Sequence, residues 1–346
     1  MGLKEYAIRR VFTGLITLLV VIAANWFIFR LPVFIIGIDP GTLYGISQMM
    51  NNPTGRESIR AIQTIVAYKR QWGLPSINAP IGVWLHHFAK YYSNMLQFKF
   101  GKSIGQPVPN VDVTRLLLAR LPVTLMLLTP AVLLSIVIGI WLGVKMGANP
   151  GSRFDVTMMT ILMMLYALPV FWLQVLFKIV FINALKVWPG VGLHSTTTPI
   201  RDPILSFLDS MYMLSLPIIT LIIGGFGGWA ILMRNSLVDV MTQDYILTAR
   251  AKGLDERTVL YKHAFRNAIL PVVTSVILAI AGVWTGAVLT EQIFSIPGVG
   301  QLIVQAVIAD NYPLAEMTFY FIALSTIVAN IIADISYALL DPRVKY

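Results

Sequence analysis

The chain has 346 residues, of which 57% are hydrophobic and 12% are charged, a composition typical of a membrane protein rather than a soluble one. Its formal net charge is +10, but the basic residues lie in short stretches between apolar segments, which argues against nucleic-acid binding. Cysteine is absent, which excludes disulfides, thiolate nucleophiles and zinc–thiolate sites.

The first apolar segment, Val11 to Phe29, follows the basic residues Lys4, Arg9 and Arg10. A signal peptide has a shorter apolar core and ends at a cleavage site with small residues, whereas this segment has about 19 residues and no such site. We therefore predict a retained transmembrane helix with its N-terminus in the cytoplasm.

Five further segments are long and apolar enough to cross a hydrocarbon layer of roughly 30 Å. They are Pro122–Met146, Val156–Ile182, Met213–Met233, Ile269–Leu289 and Met317–Leu340. With the N-terminus inside, the basic loops 147–155 and 234–268 and the tail 341–346 fall on the cytoplasmic side, as the positive-inside rule requires. The sequence thus predicts an all-α membrane protein with about six transmembrane helices and both termini in the cytoplasm.

The segment 31–120 is too polar to span the membrane, and we predict that it is a large external subdomain inserted after the first helix. Two helices are predicted in it, Glu57–Trp72 and Ile81–Gln97, each of which packs on the other or lies at the membrane surface. The chain then divides into the N-terminus and first helix (1–30), the external subdomain (31–120) and a core domain with five transmembrane helices (121–346).

Two predicted outer loops carry a similar pentapeptide, Trp188–Gly192 and Ile296–Gly300. Proline followed by glycine favours a type II turn, and a shared turn is the simpler interpretation. The alternative is that Pro189, Gly190, Pro297 and Gly298 belong to gate elements that face a translocation path.

Charged residues within the predicted spans are Lys178, Glu291, Glu316 and Asp334. The first three lie near predicted outer ends, where a long side chain reaches the interface by snorkelling. Asp334 lies near the inner end of the last span and is predicted to reach the interface or an internal partner. Gly224 and Gly228 have a spacing that lets two helices pack closely, with a hinge or gate as the alternative.

No catalytic or metal site is predicted. The histidines, which are His86, His87, His194 and His263, lack metal-ligand spacing and are predicted to be solvated or interfacial. The fragment Gly101-Lys102-Ser103 lacks the first glycine of a nucleotide-binding loop, since position 96 is leucine. A membrane enzyme is therefore disfavoured, because no His, Cys or carboxylate constellation is present.

The loop 234–268 is unusually long for a connection between tight spans, which indicates a functional role. It reads as a helix with small residues at Ala249 and Ala251, a break at Gly253, and a second short helix begun by Asp255 and Glu256. Such an elbow suits docking into a cleft on another protein. The alternative is a basic amphipathic helix lying on anionic lipid.

At this loop the sequence resembles the coupling loop of ABC importer permeases of the dipeptide/oligopeptide family. Further motifs in the family order are similar as well: Tyr6-Ala7-Ile8-Arg9-Arg10, Arg120-Leu121-Pro122-Val123-Thr124-Leu125, Gln292 to Gly300, and the ending Leu340 to Tyr346.

The resemblance implies a permease subunit in the cell membrane that works with a second, similar permease, two cytoplasmic ATPase subunits and an external solute-binding protein. It implies that ATP and magnesium are bound by the ATPase subunits and that this chain holds no cofactor. The residues implied to form the ATPase-coupling loop are Asp244, Tyr245, Ala249, Arg250, Ala251, Lys252, Gly253, Leu254, His263 and Arg266.

Two departures from the family pattern bear on the substrate. The family's Pro-Gly-Asp-Pro after the first helix is replaced by Gly37-Ile38-Asp39-Pro40, and His263 stands where importers in general have an apolar residue. The sequence therefore does not decide between peptides and oligosaccharides as the substrate. A stand-alone secondary carrier is the competing hypothesis, but it would need coupling groups within the membrane and related halves, neither of which is evident.

Overall fold

The structure, a computed structural model, describes residues 3–36, 79–104, 110–195, 201–309 and 311–340, and the isolated positions 46, 62, 66 and 108. The predicted helix Glu57–Trp72, apart from positions 62 and 66, and the last six residues of the chain lie outside the described residues.

Within the described ranges the protein is built from α-helices, with no strand. They are α1 (Leu3–Ile36), α2 (Ile81–Leu96), α3 (Val113–Ala148), α4 (Arg153–Ala167), α5 (Val170–Phe177), α6 (Pro203–Met241), α7 (Asp244–Ala251), α8 (Glu256–Thr258), α9 (Phe265–Gly282), α10 (Val288–Ile293), α11 (Val299–Ile308) and α12 (Tyr312–Leu340). Helix α5 continues as a wider π-helical turn, Lys178–Ala184, and a second such turn, Val259–Ala264, joins α8 to α9.

The predicted number of spans is confirmed. Within the part of the chain that the structure describes, five helical stretches are long and apolar enough to cross a membrane, and the count rises to six if one bent pair forms a single span. The five stretches are Lys4–Arg30, Val113–Ala148, Pro203–Met241, Glu256–Thr285 and Tyr312–Ser336. Which side each end faces is not defined by the helices, so the cytoplasmic position of the termini stays a prediction.

The predicted third span, Val156–Ile182, is not one straight helix. It consists of Arg153–Ala167 and Val170–Ala184, which meet at an angle of 87°. The bend falls at Leu168 and Pro169, where Leu168 is extended with ψ 127°. Proline disfavours a helical conformation for the residue before it, so the break has a local cause that hydropathy alone does not reveal.

The predicted fifth span, Ile269–Leu289, is wrong at its outer end. Helix α9 stops at Gly282, and Gly286 has a φ of +88°, which a helix does not accommodate. The short helix α10 follows this break, so the apolar segment turns before it is complete. Non-helical backbone at membrane depth is tolerated where protein covers it, and Val283 and Phe294 on either side are buried.

The packing of the chain divides it into two compact units. The first unit comprises residues 1–10, 123–297 and 328–346, and the second comprises residues 11–122 and 298–327. This division is separate from the predicted division by membrane side, which stays a prediction.

In the first unit, α3 packs very closely on α6 through glycine. A Cβ added at Gly143 would lie 2.5 Å from the Ala230 carbonyl oxygen and 2.7 Å from the Met233 Cβ. The predicted close packing at Gly224 is confirmed, since a Cβ there would lie 2.7 Å from Val170. At Gly228 the prediction is wrong, because a Cβ would meet no atom within 4 Å.

The second unit has a buried polar centre between α1, α2 and α12. Arg30 and Glu316 form an ion pair there, and the Asn25 amide donates to the Tyr91 hydroxyl at 3.1 Å and to the Glu316 carbonyl at 3.0 Å. The snorkelling predicted for Glu316 is therefore wrong, because neighbouring helices cover its carboxylate. His87, predicted to be solvated or interfacial, is buried and accepts a hydrogen bond from the Trp26 indole.

Candidate functional site

The candidate site is the loop 234–268, which begins inside the last turns of α6 and ends inside the first turn of α9. Helix α7 covers Asp244 to Ala251 and ends because Gly253 takes a φ of +79°. The amide of Gly253 donates to the Arg250 carbonyl at 2.9 Å, which closes the end of the helix. The predicted break is thus confirmed, and its cause is backbone conformation, since a Cβ at this glycine would meet no atom within 4 Å.

One face of α7 is anchored in the core of the first unit. Ile246 is fully buried, and Ala249 is 7% exposed. Both belong to an apolar cluster with Met233, Leu237, Val240, Val259, Ala264, Ala268 and Val272. Because Ala249 is small and faces this cluster, it sets how closely α7 approaches α6 and α9, and it offers little surface to a partner protein.

The other residues implied to form the coupling loop are mainly exposed, and they lie on α7, in the turn after it and around the start of α9. Exposed are Asp244, Tyr245, Arg250, Ala251, Lys252, Gly253, Leu254 and Arg266, while His263 is partly buried. All of these residues except Ala249 are therefore at least partly accessible to a partner. Whether an ATPase contacts this surface stays a prediction.

An ion pair joins the two sides of the turn. The Arg250 Nε lies 2.9 Å from Oε1 of Glu256, and its Nη2 lies 3.2 Å from Oε2 of the same carboxylate. Glu256 was assigned by sequence only to the start of the second helix. Its pairing with Arg250 was missed, although the two residues are close in sequence, because it depends on the direction of the chain after Gly253.

The second helix begins as predicted. The Asp255 carboxylate accepts a hydrogen bond from the Thr258 amide at 2.9 Å and thereby caps α8. The hydrogen bonds from Thr258 hold the pKa of the Asp255 carboxyl below its usual value. Asp255 is therefore ionised at neutral pH, and its negative charge stabilises the N-terminal end of α8.

Further polar contacts tie the loop to the helices beneath it. The Asn267 amide donates to the Tyr245 hydroxyl at 2.8 Å, and the Ser236 hydroxyl donates to the Ala268 carbonyl at 2.6 Å. Arg234 at the start of the loop holds the buried Asp155 of α4 through two hydrogen bonds, of 3.1 and 2.6 Å. No sequence pattern indicated this last pair, because its members are 79 residues apart.

The two proline–glycine loops were predicted to be turns or gate elements. The first loop is hydrogen-bonded to the residues just before the second. The amide of Gly192 donates to the Phe294 carbonyl at 2.8 Å, and the Trp188 indole donates to the Ser215 hydroxyl at 3.0 Å. A type II turn requires a positive φ at its glycine. Gly190 meets this requirement with a φ of +135°, whereas Gly298 has a φ of −100°, so the type II prediction is wrong at Gly298.

Buried polar contacts hold α10, just before the second of these loops. Glu291 is fully buried, and its Oε1 accepts from the Thr124 hydroxyl at 3.0 Å. The Lys178 ammonium donates to the Ile293 carbonyl at 2.6 Å. Snorkelling, predicted for Glu291 and Lys178, is therefore wrong for both, because each side chain binds a group of the protein instead.

Comparison with known proteins matches residues 135–346 to the family described as the binding-protein-dependent transport system inner membrane component. This range includes the loop 234–268 and both proline–glycine loops.

The similar proteins are named as transport permeases. The chain is 36% identical to the oligopeptide transport system permease protein AppB of Bacillus subtilis, over 75% of this chain and 80% of AppB. It is 31% identical to the inner membrane ABC transporter permease protein YejB of Escherichia coli O157:H7, over 99% of this chain and 98% of YejB. It is 34% identical to the peptidoglycan transport system permease protein YejB of Agrobacterium fabrum, over 76% and 72% of the two chains.

Proposed function

The chain belongs to the family of binding-protein-dependent transport system inner-membrane components, and from this membership we propose that its loop 234–268 couples transport to ATP hydrolysis on partner subunits. It is a multi-pass membrane permease subunit of an ABC importer, as its relatives and its apolar helices indicate. Importers of this kind work with ATPase and binding-protein components.

The finer composition of the complex is part of the proposal. The permease pairs with a second, similar permease, two ATPase subunits on the cytoplasmic side and one solute-binding protein outside. ATP and magnesium are bound by the ATPase subunits, and this chain contributes no catalytic group. Support comes from the resemblance of the coupling loop and from the exposed, basic character of that surface.

We propose peptides as the solutes. AppB is named for oligopeptides, and the Agrobacterium relative is named for peptidoglycan. The Escherichia coli relative covers 99% of this chain, so a protein of the family carries a counterpart of the segment 31–120 as well. Uptake by vesicles that hold the complete importer, supplied with a tryptic digest of casein or with maltooligosaccharides, separates peptide from oligosaccharide transport.

The observation that carries the coupling role is the exposed turn at Gly253, held between α7, whose inner face is buried, and the short helix α8, which leads into the buried Val259. A β-branched residue at φ +79° is strained by on the order of 1 to 2 kcal/mol, which distorts the turn but does not unfold a protein of this size. We therefore expect Gly253→Val to reduce solute-stimulated ATP hydrolysis and uptake in reconstituted vesicles, with normal insertion of the permease.

A matched control is available in Gly151→Val. Gly151 also has a positive φ, +78°, and open space around a Cβ, but it lies outside the coupling loop. This variant should transport almost normally. Normal uptake and normal ATPase stimulation in Gly253→Val would refute the coupling role.

A further inference from the structure

The turn between α7 and α8 has little packing of its own. Lys252, Gly253 and Leu254 are all exposed, and no atom approaches the position of a Cβ at Gly253. The hydrogen bonds that close α7, from Lys252 to Thr248 and from Gly253 to Arg250, fix the end of that helix. They do not fix the direction in which α8 leaves.

The contact between Arg250 and Glu256 does constrain that direction. Arg250 lies in the last turn of α7, and Glu256 is the first residue of α8. Two parallel hydrogen bonds, of 2.9 and 3.2 Å, join the guanidinium to the carboxylate. A bidentate contact of this kind fixes the relative orientation of its two groups as well as their distance.

We propose that the Arg250–Glu256 pair is a clamp that holds the turn 252–254 in the conformation that docks on the ATPase. Arg250 is then a positioning residue that acts through Glu256, and it does not itself bind the partner. This inference rests on the proposed coupling role of the loop.

The clamp also determines which charged side chains of the loop are left to contact a partner protein. Glu256 neutralises Arg250, whereas Lys252 and Arg257 are exposed and form no ion pair with any residue that the structure describes. The docking surface therefore carries an exposed cation on each side of Gly253, at Lys252 and at Arg257, besides the capping carboxylate of Asp255. The partner surface that it fits is a cleft on the ATPase lined with carboxylates.

The clamp and direct contact by Arg250 predict different results for Glu256. If Arg250 contacts the ATPase directly, Glu256→Gln should have little effect, because Arg250 is still present. If the pair is a clamp, Glu256→Gln should impair coupling as much as Arg250→Gln does. Exposed ion pairs stabilise by roughly 0.2 to 1 kcal/mol, so we expect each variant to lower solute-stimulated ATP hydrolysis by a factor of about 1.4 to 5. The exchange Arg250→Glu with Glu256→Arg should restore most of the loss, because it rebuilds the pair with opposite polarity.

The measurement uses the complete importer in vesicles, with its binding protein and a tryptic digest of casein as the peptide source. Recovery of the ATPase subunits with the tagged permease is measured in parallel. Glu5→Gln is the matched control, since it removes one exposed carboxylate in the first turn of α1, outside the loop 234–268, without changing the clamp. It should behave as the wild type does.

Unchanged ATPase stimulation in Glu256→Gln, or an exchange variant as impaired as Arg250→Gln, would overturn the clamp. In either case Gly253→Val tells the two proposals apart. If Gly253→Val is uncoupled while Glu256→Gln is normal, the loop couples but the clamp does not exist. If both variants transport normally, the coupling role itself fails.

Discussion

The Nη1 atom of Arg30 lies 2.6 Å from the Oε1 atom of Glu316, and each side chain is only 1% exposed. The pair joins α1 to α12 in the interior of the second unit, where the guanidinium also lies 4.6 Å from the centre of the Tyr91 ring. Two buried charges require each other, because the loss of one leaves the other without compensation in a medium of low dielectric constant.

Removal of one partner should therefore destabilise the protein strongly. Arg30→Met leaves the Glu316 carboxylate buried without its counter-ion, and we expect a loss of about 3 to 5 kcal/mol in the free energy of unfolding. Thermal unfolding of the purified protein in detergent measures the effect. The double variant Arg30→Met with Glu316→Leu should recover much of the stability, because no charge is left buried.

A second ion pair supplies the control for this experiment. Arg10 and Asp334 lie 3.1 Å apart, but their side chains are 43% and 33% exposed, so water screens the pair. Arg10→Met should cost less than about 1 kcal/mol. Equal shifts in melting temperature for Arg10→Met and Arg30→Met would show that Arg30 and Glu316 are not buried together.

Close packing of α3 on α6 predicts opposite results for the same substitution at two glycines. In Gly143→Ala the new methyl group would collide with the Ala230 carbonyl and the Met233 side chain, and we expect destabilisation of about 1 to 3 kcal/mol. In Gly228→Ala the methyl group meets open space within a helix, so the change should be neutral or stabilise slightly. The two melting temperatures, measured under the same conditions, decide the matter, and a larger loss at Gly228 would contradict the packing described.

The predicted orientation can be tested with single cysteines, because the wild-type chain has none. Lys90 in α2 and Lys252 in the coupling loop are both exposed. If the positive-inside rule holds here, a membrane-impermeant thiol reagent added to intact cells should label Lys90→Cys and leave Lys252→Cys unlabelled. Labelling of Lys252→Cys alone would invert the topology, and labelling of both after permeabilisation confirms that each cysteine is reactive.

Sequence reasoning succeeded where the cause of a structure lies within a few residues. The end of α7 at Gly253 and the start of α8 at Asp255 were predicted, since both depend on local backbone conformation and capping. It failed in the middle of the predicted third span and at the end of the predicted fifth span. There a proline, Pro169, and a glycine, Gly286, interrupt segments whose hydropathy is continuous, and average hydropathy does not register a change in chain direction.

The sequence by itself determined that this protein is a bundle of apolar helices with an exposed, basic elbow after α6, because length, hydropathy and helix-breaking residues act locally. Only the tertiary structure decided which charges are buried and with what partner. Glu291 and Glu316 lie near the ends of apolar segments and read as residues that reach water, yet Thr124 and Arg30 bind them inside the protein. Arg30 and Glu316 are separated by 286 residues, and a partner at such a distance is chosen by the packing of whole helices, which no local pattern in the chain encodes.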